Sequence, residues 1–83
     1  MIYLGKKGLT ETFQDDFPKE TECCRCKGSA RIAFVYAEDG SEKKFICDLY
    51  KGKVNKLWLH DCCAVAIYFC EKCLEPTALY NQA

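Results

Sequence analysis

Two Cys-x-x-Cys pairs, Cys23/Cys26 in "CCRCKGSA" and Cys70/Cys73 in "CEKC", constrain this 83-residue chain more than any other feature. With two residues between the cysteines, a tight turn can aim both sulfurs at one point about 2.3 Å from a tetrahedral ion. Two such turns supply a complete set of thiolates and leave no coordination position open. The fold must therefore bring Cys26 and Cys70 together across the 43 residues that separate them. Cys24 lies one residue short of Cys26, a gap that closes a turn poorly, and it reads as a passenger. Gly28 suits the sharp bend expected past Cys26, because a residue without Cβ accepts dihedrals that others resist.

Disulfides are the competing use of eight cysteines. The N-terminal stretch "MIYLGKKGLTETFQDDFPKE" is charged throughout and has no apolar core of the signal-peptide kind. The longest apolar run, "CCAVAIYFC" (62–70), is strand-sized and falls well short of the roughly 18 apolar residues of a membrane span. The expectation is a cytoplasmic protein with no membrane segment, in a reducing compartment where clustered thiols bind metal more often than they pair. At this length the apolar core is small, and a staple beyond it is expected.

Residues 1–22 are polar, with scattered apolar positions at Ile2, Tyr3, Leu4, Phe13 and Phe17, and read as a loosely held arm ending at Pro18. A short strand over 1–4 is the one element suggested there. From Arg31 the pattern turns to β. "RIAFVY" (31–36) puts Ile32, Phe34 and Tyr36 on one face at period two. "EDGS" (38–41) signals a turn, and "KKFICDLY" (43–50) alternates as its returning strand. "KGKVN" (51–55) reads as a second turn and "KLWLH" (56–60) as an extended segment. "CCAVAIYFC" is apolar on both faces, as befits a central strand. Pro76 blocks a helix after Cys73, and "TALYNQ" (77–82) supplies a last strand.

The "CCRCKGSA" element ahead of β structure, with "YFCEKC" closing the sheet, resembles the zinc ribbon, the broad rubredoxin-like class of four-cysteine domains. The likeness spans roughly residues 21–80. It implies a small all-β zinc ribbon: an antiparallel sheet of about 3–5 short strands with two Cys-x-x-Cys knuckles, occupying 23–83 behind the arm. It also implies one structural zinc ion on Cys23, Cys26, Cys70 and Cys73. The Cys-x-x-Cys-x-Gly element is similar to half of the zinc module of J-domain co-chaperones, from which the glycine-free "CEKCLE" departs. Iron is the other metal that a tetrahedral thiolate set accepts.

Cys47, His60 and either Cys62 or Cys63 have acceptable ligand types for a second site, with Asp61 placed to orient the histidine. The plainer reading makes Cys47 and Cys63 core-facing thiols that behave as small hydrophobes. Catalysis is not expected. A redox Cys-x-x-Cys sits at a helix N-terminus, whereas both pairs here adjoin strands or loops, and no nucleophile, base and orienting group occur together.

Formal charge sums to zero, which removes any global drive toward nucleic acid. The charge is uneven, however, with five lysines against one aspartate in 43–56. The first functional expectation is a structural-zinc module that presents its sheet or its lysine-rich hairpin to a protein partner. An alternative is nucleic-acid binding, with Tyr50 or Trp58 among Lys51, Lys53 and Lys56 as a stacking platform. The third is thiol redox or metal handling.

Overall fold

The computed structural model describes residues 1–49 and 62–82. They form one antiparallel sheet of five strands: β1 (Ile2–Leu4), β2 (Glu20–Glu22), β3 (Ser29–Ala37), β4 (Cys63–Cys70) and β5 (Pro76–Gln82). The order is β1-β3-β4-β5, and β2 pairs with the first residues of β3 on the same side as β1. The strands expected over 62–70 and 77–82 are both present. β4, apolar on both faces, lies in the middle with β3 and β5 as neighbours.

The core lies on one face of this sheet. On β4 it takes the even positions Ala64, Ala66, Tyr68 and Cys70, all fully buried. β3 matches them only because its register shifts between Ile32 and Phe34. Before the bulge, Ala30 faces Cys70 and Ile32 faces Tyr68; after it, Val35 faces Ala66 and Ala37 faces Ala64. The period-two expectation for Ile32, Phe34 and Tyr36 is corrected here. The extra residue, Ala33, inverts the phase, so Phe34 and Tyr36 turn to the opposite face.

Residues 1–22 contribute more than a loose arm. β1 and β2 extend the sheet, and between them the chain crosses the core face, placing Leu9 and Phe17 on it. Specific bonds hold this cover down. Tyr68 Oη donates to Pro18 O at 2.7 Å, and Asn81 Oδ1 accepts Phe13 N–H at 3.3 Å. Asn81 Nδ2 also donates to Thr12 Oγ1. Four alanines on the core face of β3 and β4 let the cover lie close.

The returning strand expected at 43–50 is absent from the described part of that stretch. Ile46–Leu49 form a 3-10 turn instead. Asp48 accounts for the difference: its Oδ2 accepts Phe45 N–H at 2.8 Å while its own N–H donates to Phe45 O at 3.0 Å. An aspartate that satisfies local backbone in this way competes with a ladder. The turn over 38–41 does form. Gly40 has φ +93°, and Asp39 Oδ1 accepts Ser41 N–H at 2.9 Å. It leads out of the sheet rather than into a hairpin. The extended segment expected at 56–60 and the turn at 51–55 lie outside the described residues.

Glu38, directly after β3, is buried yet carries a carboxyl group. Its Oε1 accepts Cys63 N–H at 2.9 Å and its Oε2 accepts Ile46 N–H at 3.0 Å. Its own N–H donates to Cys63 O at 3.0 Å. One side chain thus ties the end of β3, the start of β4 and the 3-10 turn.

Gly8 is the tightest point of the N-terminal cover, since a Cβ there would lie 2.6 Å from Val35 Cβ. Both atoms sit close to backbone and cannot swing aside. Gly8→Ala should therefore destabilise the protein by about 1–3 kcal/mol, the usual range for overpacking. A fall in the urea midpoint at unchanged slope is the expected reading; an unchanged midpoint would show that the cover is loosely held.

Candidate metal centre

Two knuckles at one end of the sheet supply the candidate ligands. The first follows β2 and the second follows β4, so the antiparallel pairing that sets Ala30 against Cys70 brings both to the same place. They are built alike. Cys23 N–H donates to Gly28 O at 2.8 Å, and Lys27 N–H donates to Cys23 O at 3.2 Å. In the second, Cys70 N–H donates to Glu75 O at 3.3 Å and Leu74 N–H to Cys70 O at 3.0 Å. In both, the leading sulfur accepts the N–H two residues on: Arg25 to Cys23 Sγ and Lys72 to Cys70 Sγ, each at 3.4 Å.

The residue after the second cysteine takes the left-handed conformation in both turns: Lys27 at φ 63° and Leu74 at φ 61°. This corrects the role expected of Gly28. The dihedral demand falls one residue earlier, on Lys27, and Gly28 serves a packing need instead. A Cβ on Gly28 would stand 3.3 Å from Cys26 Sγ and 3.6 Å from Cys70 Sγ, crowding the sulfurs. The equivalent place in the second knuckle is held by Glu75, whose carbonyl accepts Cys70 N–H as that of Gly28 accepts Cys23 N–H.

The four sulfurs of Cys23, Cys26, Cys70 and Cys73 all lie within 4.8 Å of one another. Individual separations are 3.4 Å for Cys26–Cys70, 3.7 Å for Cys26–Cys73 and 3.8 Å for Cys23–Cys73. A tetrahedron with metal–sulfur bonds of about 2.3 Å has edges of about 3.8 Å, while a disulfide needs about 2.05 Å. The set fits a metal ion and is too open for a disulfide. Cys23 and Cys70 are buried and Cys26 and Cys73 exposed, so the centre sits at the surface with half its sulfurs rooted in the fold.

The protons on this cluster are unequally held. N–H bonds from Cys73 and Lys72 pull the Cys70 thiol down to about 6. Bonds from the N–H groups of Cys26 and Arg25 lower Cys23 as well. Cys73 receives the Glu75 N–H, but desolvation and the neighbouring Cys70, Cys26 and Cys23 outweigh it and push this thiol up to about 12. Close-packed sulfurs cannot all carry charge unaided, and a divalent cation removes that conflict.

Cys24 stays outside the cluster: its N–H donates to Thr77 Oγ1 at 3.0 Å and its thiol to Pro76 O at 3.6 Å. Among the described residues, no second group of His, Cys, Asp and Glu converges in this way. Cys63 is buried beside Glu38, and burial followed by the Glu38 charge pushes its thiol up to about 11. Cys47 and Cys62 are half-buried near it. His60 and Asp61 lie outside the described residues, as do Tyr50, Lys51, Lys53, Lys56 and Trp58. The left-handed Lys27 and Leu74 had no sequence signal, since neither residue type favours that conformation.

Metal must displace the proton of Cys73 at neutral pH and, below about 6, that of Cys70 as well. Both steps make affinity fall on acidification. The folded-state pKa of Cys70 is depressed from 9.0 to about 6, so its contribution to stability is complete above about 9 and is lost progressively as the pH falls to about 6. Competition titrations with a chromophoric chelator should show log affinity falling more steeply below about pH 6 than above it. A single slope from pH 5 to 8 would contradict this proton assignment.

No protein-family model, curated protein or solved structure matches the chain, so the candidate metal centre is defined by its own geometry.

Proposed function

We propose that the protein is a small zinc-binding module whose ion is structural, and that it acts by presenting its sheet to a protein partner. The convergence of four sulfurs at tetrahedral spacing carries the first half of this reading. A full thiolate set leaves no position for substrate or water, which favours a structural ion over a catalytic one. Zinc is the proposed ion because it imposes no redox chemistry on such a set, with iron as the competing occupant. We propose no enzymatic activity.

The second half is supported by the face opposite the core. There Ile2, Tyr36, Val65 and Tyr80 line up across four strands, and so do Leu4, Phe34, Ile67 and Ala78. Leu4 is 70% exposed, Ile2 and Tyr80 59% and Phe69 45%. An apolar face half-buried at its centre and exposed at its margins, on a chain this small, favours an interaction surface. Nothing comparable supports the nucleic-acid reading, whose aromatic and lysine residues lie beyond those described. Only the exposed Lys43 and Lys44 of that stretch can be located. No helix among the described residues is long and apolar enough to cross a membrane.

Elemental analysis of the purified chain should give one zinc per protein. Excess chelator should then abolish the cooperative fold, because structural zinc contributes on the order of 10 kcal/mol that only the folded state captures. Cys23→Ser and Cys73→Ser should each unfold the chain, whereas Cys24→Ser should change stability by less than about 0.5 kcal/mol. Equal damage from all three, or an ion-free chain that unfolds cooperatively, would overturn the metal reading. Leu4→Lys with Phe69→Lys should release a bound protein partner without loss of metal.

A further inference from the structure

β5 is an edge strand, and its backbone phase can be read from three bonds. In an antiparallel ladder, alternate residues turn both N–H and C=O toward the neighbour or away from it. Glu75 O accepts Cys70 N–H at 3.3 Å, so odd-numbered residues here face β4. Even-numbered residues face outward: Gln82 O accepts Gln14 Nε2 at 3.4 Å, and Pro76 O accepts the Cys24 thiol at 3.6 Å. The N–H and C=O groups of Ala78 and Tyr80 therefore point away from the sheet. No hydrogen bond reaches them among the described residues.

Natural sheets guard such edges with charges, inward prolines, bulges or a covering segment. β5 has little of this protection. "PTALYNQ" carries no charge, and its proline stands at the first position. Its register with β4 runs unbroken from Cys63–Gln82 to Phe69–Pro76. Both ends of the edge are capped by side chains, and no other described residue covers the middle.

We propose that this edge is a homodimer interface, in which β5 pairs antiparallel with β5 of a second copy about a two-fold axis at Leu79. The register follows from the free groups. With Ala78 opposite Tyr80 of the second copy, and Tyr80 opposite its Ala78, each pair exchanges both bonds and every open group is satisfied. Sliding one way puts Pro76, which has no N–H, opposite Tyr80. Sliding the other way sets the two tyrosines against each other and calls on the Gln82 carbonyl, already bonded to Gln14.

The chosen register also pairs a large side chain with a small one on the outer face. The row Ile2–Tyr36–Val65–Tyr80 then continues into Ala78, Ile67, Phe34 and Leu4 of the second copy. A formal net charge of zero adds no repulsion between copies. The inference rests on the reading that the sheet is the interacting part of this molecule, and it names the partner.

Sedimentation equilibrium of the zinc-loaded full chain, under reducing conditions that exclude a disulfide through Cys24, should give twice the 9.5 kDa monomer mass in the micromolar range. Ala78→Pro removes an outward N–H and leaves the β4 ladder intact, so it should weaken the dimer about 30-fold or more with metal content unchanged. Ala78→Lys should weaken it too. Adding Tyr80→Glu to Ala78→Lys should restore it, because the register sets the new ammonium and carboxylate opposite each other across the interface. The Lys and Glu variants decide the matter if Ala78→Pro fails to fold. A monomer throughout that range overturns the proposal, as does a dimer indifferent to Ala78→Lys. A monomer that keeps its ion and still loses a bound protein on Leu4→Lys with Phe69→Lys would sink the dimer alone and leave the earlier reading standing.

Discussion

Cys70 is at once the last residue of β4 and the first sulfur of a knuckle, and most of the structure depends on that double role. Its cross-strand partner is Ala30, only a few residues beyond Gly28 and the first knuckle. Pairing β3 with β4 therefore delivers the two turns to one end of the sheet without a dedicated loop. The converse also holds. An ion held by both knuckles would fix the β3–β4 register at that end, where a one-residue slip would turn every core side chain outward. The long chain separating the pairs costs little extra in closure entropy, because that cost grows only with the logarithm of loop length.

The opposite end of the same ladder is held by different means. There the buried Glu38 carboxylate takes N–H groups from Ile46 and Cys63. A buried carboxylate is costly unless its oxygens are bonded, and here both are. The Cys63 thiol beside it is driven toward its neutral form. The two thiol environments are thus electrostatically opposite. N–H donors aimed at Cys70 and Cys23 favour thiolate, while a neighbouring anion and burial favour the protonated Cys63. Residue type alone does not separate ligand from core thiol in this chain; the groups pointing at the sulfur do.

Much of this was legible in the sequence, and the boundary is instructive. The four converging cysteines, the passenger Cys24, the central β4 and the final β5 all follow from spacing and apolar pattern, which are local properties. The partner of β3 was not legible. "EDGS" signals a turn correctly, but Asp48 spends its carboxylate on a local 3-10 turn, and β3 pairs with a strand some thirty residues further on. Nor was the bulge at Ala33 visible, since an alanine in a strand carries no mark of extra length. Residues 1–22 look polar because only Tyr3, Leu9 and Phe17 of that stretch meet the core. Three well-placed side chains suffice to cover a face paved with alanine.

A single-layer sheet covered on one side has an unavoidable remainder: its other face and its free edges. The β3 side is closed by β1 and β2, whose short runs take up the outward groups at either end of that strand. Between them Ile32 N–H donates to Lys19 O at 3.0 Å, so even the gap is filled. Among the described residues the β5 side has no such strands; side chains cap its ends and leave its centre open. This asymmetry cannot be traced to the four-cysteine cluster, which sits at the end of the β3–β4 ladder. Because the N-terminal segment is spent on the core face and the β3 edge, no comparable length of the described chain remains to close β5, and the apolar outer face meets its open edge at Tyr80.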